Sequence, residues 1–166
     1  MFLVEIRFGS PHGGDGGGAF NDQIDLNLSA TTPCIGVELF WYPDYLIAAR
    51  FIYTTKNSSV SSVYYGDPSA RDLPFMNETY MMHSGERINK VTWYAGEHLW
   101  RVRGKAVRYV RGIQFYTSAG TESQLYGTSQ GHAYTESFDG FSLGPIAGNA
   151  GTLIDQLQFT WIKRGE

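Results

Sequence analysis

Apolar and polar residues alternate one for one along several short stretches of this chain, a period that belongs to β-strands and not to helices. Leu153, Leu157, Phe159 and Trp161 alternate with Gln156, Gln158 and Thr160, so one face of that segment is apolar and the other polar. Ile24, Leu26 and Leu28 alternate with Asp25, Asn27 and Ser29, which predicts a second such strand. Further strands are expected at Ile35–Tyr42, Leu46–Thr54, Val60–Tyr65, Arg108–Thr117 and Ala133–Phe138, each bounded by Gly, Pro, Asn, Asp or Ser. Turn residues recur about every ten positions, the rhythm of an antiparallel sandwich, barrel or prism. Ile88, Val91, Ala95 and Leu99 fall near helical spacing, yet Thr92-Trp93-Tyr94 favours sheet, and the segment is read as strand. Glycine accounts for 20 of the 166 residues, which agrees with many turns and few helices.

Composition narrows the functional classes. The 4 Trp, 11 Tyr and 10 Phe supply ample surface for a core, so residues 1–166 are read as a single folded domain. A net charge of −3 offers no general attraction to nucleic acid or acidic membranes. Cys34 is the single cysteine, so the fold stands by packing without an internal disulfide. Apolar runs such as Leu39–Tyr42 and Leu46–Ala49 are far too short to cross a membrane as a helix. The start, Met1-Phe2-Leu3-Val4-Glu5, lacks a signal-peptide pattern, which predicts a protein that is cytoplasmic or released without a signal peptide.

Several motifs invite a chemical reading. Gly14-x-Gly16-x-x-Ala19 has the form of a dinucleotide fingerprint, but that motif needs a helix directly behind it, and an alternating strand is expected here instead. A loop that needs positive φ or close backbone approach is the simpler account. Gly127-Thr128-Ser129-Gln130-Gly131 matches the nucleophile elbow of serine hydrolases, yet its flanks are polar and His132 follows at once, so no triad assembles in the required order. A hydrolase built on Ser129 therefore remains a remote alternative. His12, His83, His98 and His132 fit no spaced metal signature, and neither a metal nor a cofactor is expected. Arg101, Arg103, Lys105, Arg108 and Arg111 form a basic cluster around Trp100 and Tyr109, read as a solvated strand edge rather than a nucleic-acid patch. Gly151-Thr152-Leu153-Ile154-Asp155 combines a glycine turn with a carboxylate. Backbone N–H donors and a charged acceptor converging on one point suit vicinal hydroxyls, which both give and accept hydrogen bonds. The plainer reading is that Asp155 caps its own turn.

Across nearly its whole length the chain resembles the jacalin-related lectins. The resemblance runs through the early glycine cluster and Phe20-Asn21-Asp22, Gly85-Glu86-Arg87-Ile88, Tyr94-Ala95-Gly96 and Val110–Thr117, then Tyr126-Gly127 and Ile146–Gly151 leading into Leu153-Ile154-Asp155. It implies an all-β fold, a β-prism of three four-stranded Greek-key sheets, and metal-independent sugar binding at one end of the prism. By position, Gly17 would line the pocket, the N–H groups of Thr152 and Leu153 behind Gly151 would bind ring and hydroxymethyl oxygens, and Asp155 would accept from two hydroxyls. Galactose-binding members resemble one another in being cleaved at the glycine loop, whereas this sequence is continuous there, which implies a mannose/glucose-type lectin. The implied partners are mannose- or glucose-containing glycans or glycoproteins, met by a homodimer or homotetramer. The sequence departs from the family pattern at Pro145-Ile146 and Asn149-Ala150, which keeps open a β-prism that serves as a structural or interaction module without sugar binding. Residues 97–106 read as a long basic loop without a clear family counterpart.

Overall fold

A computed structural model describes residues 3–70, 74–102 and 105–165, with side chains at all of these except 70, 98–102, 105 and 106. The first part of the chain holds β1 (Val4–Phe8), β2 (His12–Gly13), β3 (Gly18–Asn21), the one-turn helix α1 (Asp22–Asp25), β4 (Cys34–Tyr42), β5 (Tyr45–Thr54) and β6 (Ser59–Ser61). It continues with β7 (Met76–Met81), β8 (Ile88–Val102), β9 (Lys105–Thr117), β10 (Tyr126–Gly127), β11 (His132–Glu136), β12 (Ser142–Ala150) and β13 (Ile154–Arg164). All pairings between these strands are antiparallel.

Three sheets repeat one plan. Their orders are β6-β5-β4-β7, β10-β9-β8-β11 and β1-β13-β12-β3. In each, a sequential hairpin fills the centre and one further strand pairs with each side of it. The first two are Greek keys, since three consecutive strands meander and the fourth returns beside the first. The third has the same order but draws its outer strands from the start of the chain and its centre from the end. The short β2 pairs with β13 at Gln156 and Leu157, continuing the edge that β1 occupies from Thr160 to Arg164. Gly9-Ser10-Pro11 separates the two pieces, where Pro11 has no N–H to give to the ladder. The expected β-prism of three four-stranded sheets is the fold observed.

The inward faces meet in one core. Trp93 and Phe115 from β8 and β9, Phe51 and Tyr53 from β5, and Phe159 and Trp161 from β13 are buried together. Trp93 packs edge-on to Phe159 with ring centroids 4.9 Å apart and donates its indole N–H to the His12 carbonyl at 3.3 Å. It thereby ties two sheets together. None of the described helices is long and apolar enough to cross a membrane.

Three expectations are corrected, the last in part. The alternating segment from Ile24 to Leu28 is not a strand. It begins inside α1 and continues as a turn, because the Asn21 side chain accepts from the Ile24 N–H at 3.4 Å and Asp25 accepts from the Asn21 N–H at 3.0 Å. This reciprocal capping closes one helical turn, leaves Ile24 exposed and places Leu26 and Leu28 against the core. Residues 97–106 are not a free loop either. Glu97 pairs with Arg108, Arg101 with Ala106 and Val102 with Lys105, so the β8–β9 hairpin simply runs long. The basic cluster is divided: Arg111 lies on β9 next to the residues that pair with β10, whereas the stretch from Arg101 to Arg108 runs past the residues paired with β10 and β11 and keeps, among the described residues, the edge position expected of it. Arg111 is buried and donates to the Asp44 carbonyl at 3.3 Å, while Arg108 donates to the Tyr134 hydroxyl at 3.1 Å. Arg103 lies outside the described residues.

Candidate functional site

Asp155 owes its position to strand parity. It shares a face with Leu157, Phe159 and Trp161, so it points inward, but it stands one residue into β13 where the sheet reaches the end of the prism. Asp155 is consequently only 9 % exposed as a residue and still at the mouth of the fold. Burial, with a smaller push from the Asp15 charge, raises its pKa above the ordinary 3.8. Its backbone carbonyl takes the Gly14 N–H at 2.6 Å, but among the described residues the carboxylate itself accepts no hydrogen bond. The simpler reading, in which the Asp155 side chain caps its own turn, therefore does not hold.

The glycine loop is built around that carboxylate. A Cβ at Gly17 would stand 2.5 Å from Asp155 Oδ2 and 2.7 Å from the Ala150 carbonyl carbon, and a Cβ at Gly16 would stand 3.0 Å from Asp155 Oδ1. Gly17 also sits at φ +75°, a conformation side-chain-bearing residues avoid. Glycine at these two positions thus leaves both carboxylate oxygens facing bare backbone. Directly after Gly17, β3 pairs with β12 through Gly18 and Ala150, which brings the loop beside the turn that enters β13. A Cβ on Gly151 would be 3.8 Å from the Gly17 Cα.

The turn itself is held from two sides. The Gly151 N–H donates to the Leu153 carbonyl at 2.9 Å, and the Thr152 carbonyl accepts the Asp67 N–H at 3.0 Å. Leu153 is buried, so it anchors the turn and contributes backbone to the surface. Gly151, Thr152, Leu153 and Asp155, neighbours in sequence, are thus brought together with the remote Gly17 at one end of the prism. Asp67 was missed by sequence reasoning. Only the tertiary contact links its loop to the turn, and no spacing rule could have shown it. On the other side of the glycine loop lies a recess of about 410 Å³, bordered by Asp15, His12, Arg108, Tyr134 and Gln156. His12 stacks on Tyr134 with centroids 4.1 Å apart, which closes that side of the loop with aromatic surface.

The other motifs do not form sites. Gly16 to Ala19 lead into β3, and α1 behind it is one turn long, so the helix that would hold a pyrophosphate is missing for a different reason than expected. Ser129 lies exposed in the turn between β10 and β11, with no helix after it. Among the described residues no group of three or more His, Cys, Asp or Glu side chains is placed to hold a metal ion.

Three sheets around one core, with a glycine loop and a glycine–aspartate turn at one end, define a β-prism of the lectin type. Residues 9–160 match the Jacalin-like lectin domain, and the chain belongs to that family, whose members are carbohydrate-binding lectins rather than enzymes. Solved structures of the same fold include artocarpin in complex with mannotriose, at TM-score 0.77 and 20% identity over 95% of this chain and 97% of that one. Frutapin from Artocarpus incisa gives TM-score 0.78 at 19% identity, again over 95% and 97% of the two chains. A mannose-specific jacalin-related lectin from Morus nigra, solved with mannose, gives 0.76 at 19% identity over 95% of this chain and 94% of that one. Among curated proteins none matches this chain.

Proposed function

We propose that the protein binds mannose- or glucose-type sugars at this end of the prism, without a metal ion and without a chemical step. The Asp155 carboxylate accepts from two vicinal hydroxyls, the N–H groups of Thr152 and Leu153 meet the ring and hydroxymethyl oxygens, and Gly17 allows the sugar to approach the loop backbone. The observation that carries the reading is the Asp155 carboxylate, which accepts no hydrogen bond among the described residues and faces two glycines at the mouth of the fold. An ionised carboxylate at the mouth of the fold forms charge-assisted hydrogen bonds with hydroxyl donors brought to it. Similarity to artocarpin and to the Morus nigra lectin, solved with mannotriose and with mannose, favours that sugar class over galactose.

One shallow monosaccharide site typically gives roughly millimolar affinity, about −4 kcal/mol. Charge-assisted hydrogen bonds contribute about 1.5–3 kcal/mol each, so losing the carboxylate removes most of that. Asp155→Ala is therefore expected to pass through a mannose column that retains the wild type, with an unchanged unfolding midpoint as the control for folding. Retention of the variant refutes the site. Binding that persists in a chelator supports the metal-free mode. Useful avidity at such affinity requires several sites per particle, so a homodimer or homotetramer is part of the proposal.

A further inference from the structure

The opposite end of the prism carries a cavity of different chemistry. Ser142 begins β12 and Ala150 ends it, so the two ends are separated by roughly 25 Å of strand. Around Ser142 a cavity of about 730 Å³ opens between three loops, with Arg87, Lys90 and Arg164 in its lining and Asp139 as the one carboxylate among the described lining residues. In a chain of net charge −3 this is a local reversal of sign.

The three cations are held by neutral groups. Arg87 donates to the Glu86 carbonyl at 2.9 Å, and its backbone exchanges hydrogen bonds with Ser118, accepting from the Ser118 N–H at 2.8 Å and donating to Ser118 Oγ at 2.9 Å. Arg164 donates to the Thr31 carbonyl at 2.9 Å, and Lys90 Nζ stands 4.6 Å from the centre of the Tyr116 ring. Among the described residues the ion pair formed is Arg50 with Glu38, elsewhere on the molecule, so no carboxylate neutralises these three. Most of each guanidinium's five N–H donors remain available. The β8 ladder is also interrupted here. Ile88 pairs with Thr117 and Lys90 with Tyr116, which leaves Asn89 as an extra residue. Such a bulge re-aims side chains, and it brings both Asn89 and Lys90 into the cavity lining.

We propose that this cavity is a second binding site, for a tetrahedral oxyanion such as phosphate or sulfate, free or carried on a sugar. Cations outnumber carboxylates three to one in the described lining, the reverse of the sugar end with its Asp155 carboxylate. Guanidinium forks match the paired oxygens of an oxyanion, with Lys90 adding a point charge. The proposal does not depend on sugar binding at the other end.

The test is titration calorimetry with inorganic phosphate and with glucose 6-phosphate, on the wild type and on Arg87→Gln, Lys90→Gln and the double variant. Both probes should bind saturably, each single substitution should weaken binding about tenfold, and the affinity should fall as salt rises. Lys56→Gln, an exposed cation outside the lining, serves as the control for diffuse charge and should change nothing. Tighter binding of glucose 6-phosphate that persists in Asp155→Ala and is lost in the double variant assigns the site to sugar-borne anions, and equal binding of the two probes assigns it to the free ion. Absence of saturable binding, binding indifferent to the double variant, or an equal loss in Lys56→Gln overturns the proposal. Thermal unfolding verifies that the variants are folded.

Discussion

Single residues at the sugar end act through what they omit as much as through what they carry. Gly17 has no side chain where any Cβ would meet Asp155 Oδ2 at 2.5 Å, and it holds φ +75°. Gly17→Ala is expected to abolish mannose binding and to cost about 1–2 kcal/mol of stability, measured by denaturant unfolding. Binding retained at wild-type strength would contradict the role given to the loop. Asp155 supplies the pH dependence. Its pKa in the folded protein lies above the ordinary 3.8, so protonation removes the ionised acceptor before an exposed aspartate would titrate. Sugar binding is expected to be full at neutral pH and to fall on acidification with a midpoint above 3.8, followed by calorimetry at successive pH values. Parity and the glycine spacing were legible in the sequence at this scale. The missing partners of the carboxylate were not, because a hydrogen-bond inventory needs the neighbours' positions.

At the scale of elements, α1 shows how a polar anchor can override a pattern. Asp22 is fully buried and accepts from the hydroxyls of Tyr53 and Tyr65, while Tyr53 itself accepts the Ile146 N–H at 3.0 Å. The Phe20 ring stacks on Tyr65 beside it. One short helix is thereby joined to β5 and β12. Burial raises the Asp22 pKa from 3.8 to about 6 despite those two hydrogen bonds. A raised carboxyl pKa means that the folded state holds the proton longer than the unfolded chain does. Stability from this group is therefore greatest below 3.8, declines as pH rises towards 6, and is level above that. The shift corresponds to about 3 kcal/mol. Asp22→Asn is expected to remove that slope, so wild type should lose about 3 kcal/mol more than the variant between acid and neutral pH in denaturant titrations. Equal slopes would refute the assignment. The alternation at Ile24, Leu26 and Leu28 suggested a strand here because short apolar runs do not distinguish the two periods. The capping pair Asn21 and Asp25 was the local signal that went against it.

Over the whole molecule, three similar sheets close on one aromatic core, and the chain's two ends jointly complete one of them. Trp93 is the residue most exposed to a test of this arrangement, since it is fully buried, packs on Phe159 and bonds to His12. Trp93→Ala is expected to cost about 3–5 kcal/mol in equilibrium unfolding. A loss below about 1 kcal/mol would show that the sheets do not depend on this contact. The alternation of Leu157, Phe159 and Trp161, the turn spacing and the glycine content by themselves determined an all-β fold, since local sterics and side-chain direction act over a few residues. The order of the motifs pointed further, to the β-prism and to the residues that would line a sugar site. Tertiary structure alone decided which groups share a space. It joined Gly17 to Asp155, brought Asp67 to the turn at Thr152, carried the basic segment into the long β8–β9 hairpin, and gathered Arg87, Lys90 and Arg164 around one cavity. Electrostatics and desolvation depend on distances between residues remote in sequence, and only the packed sheets set those distances.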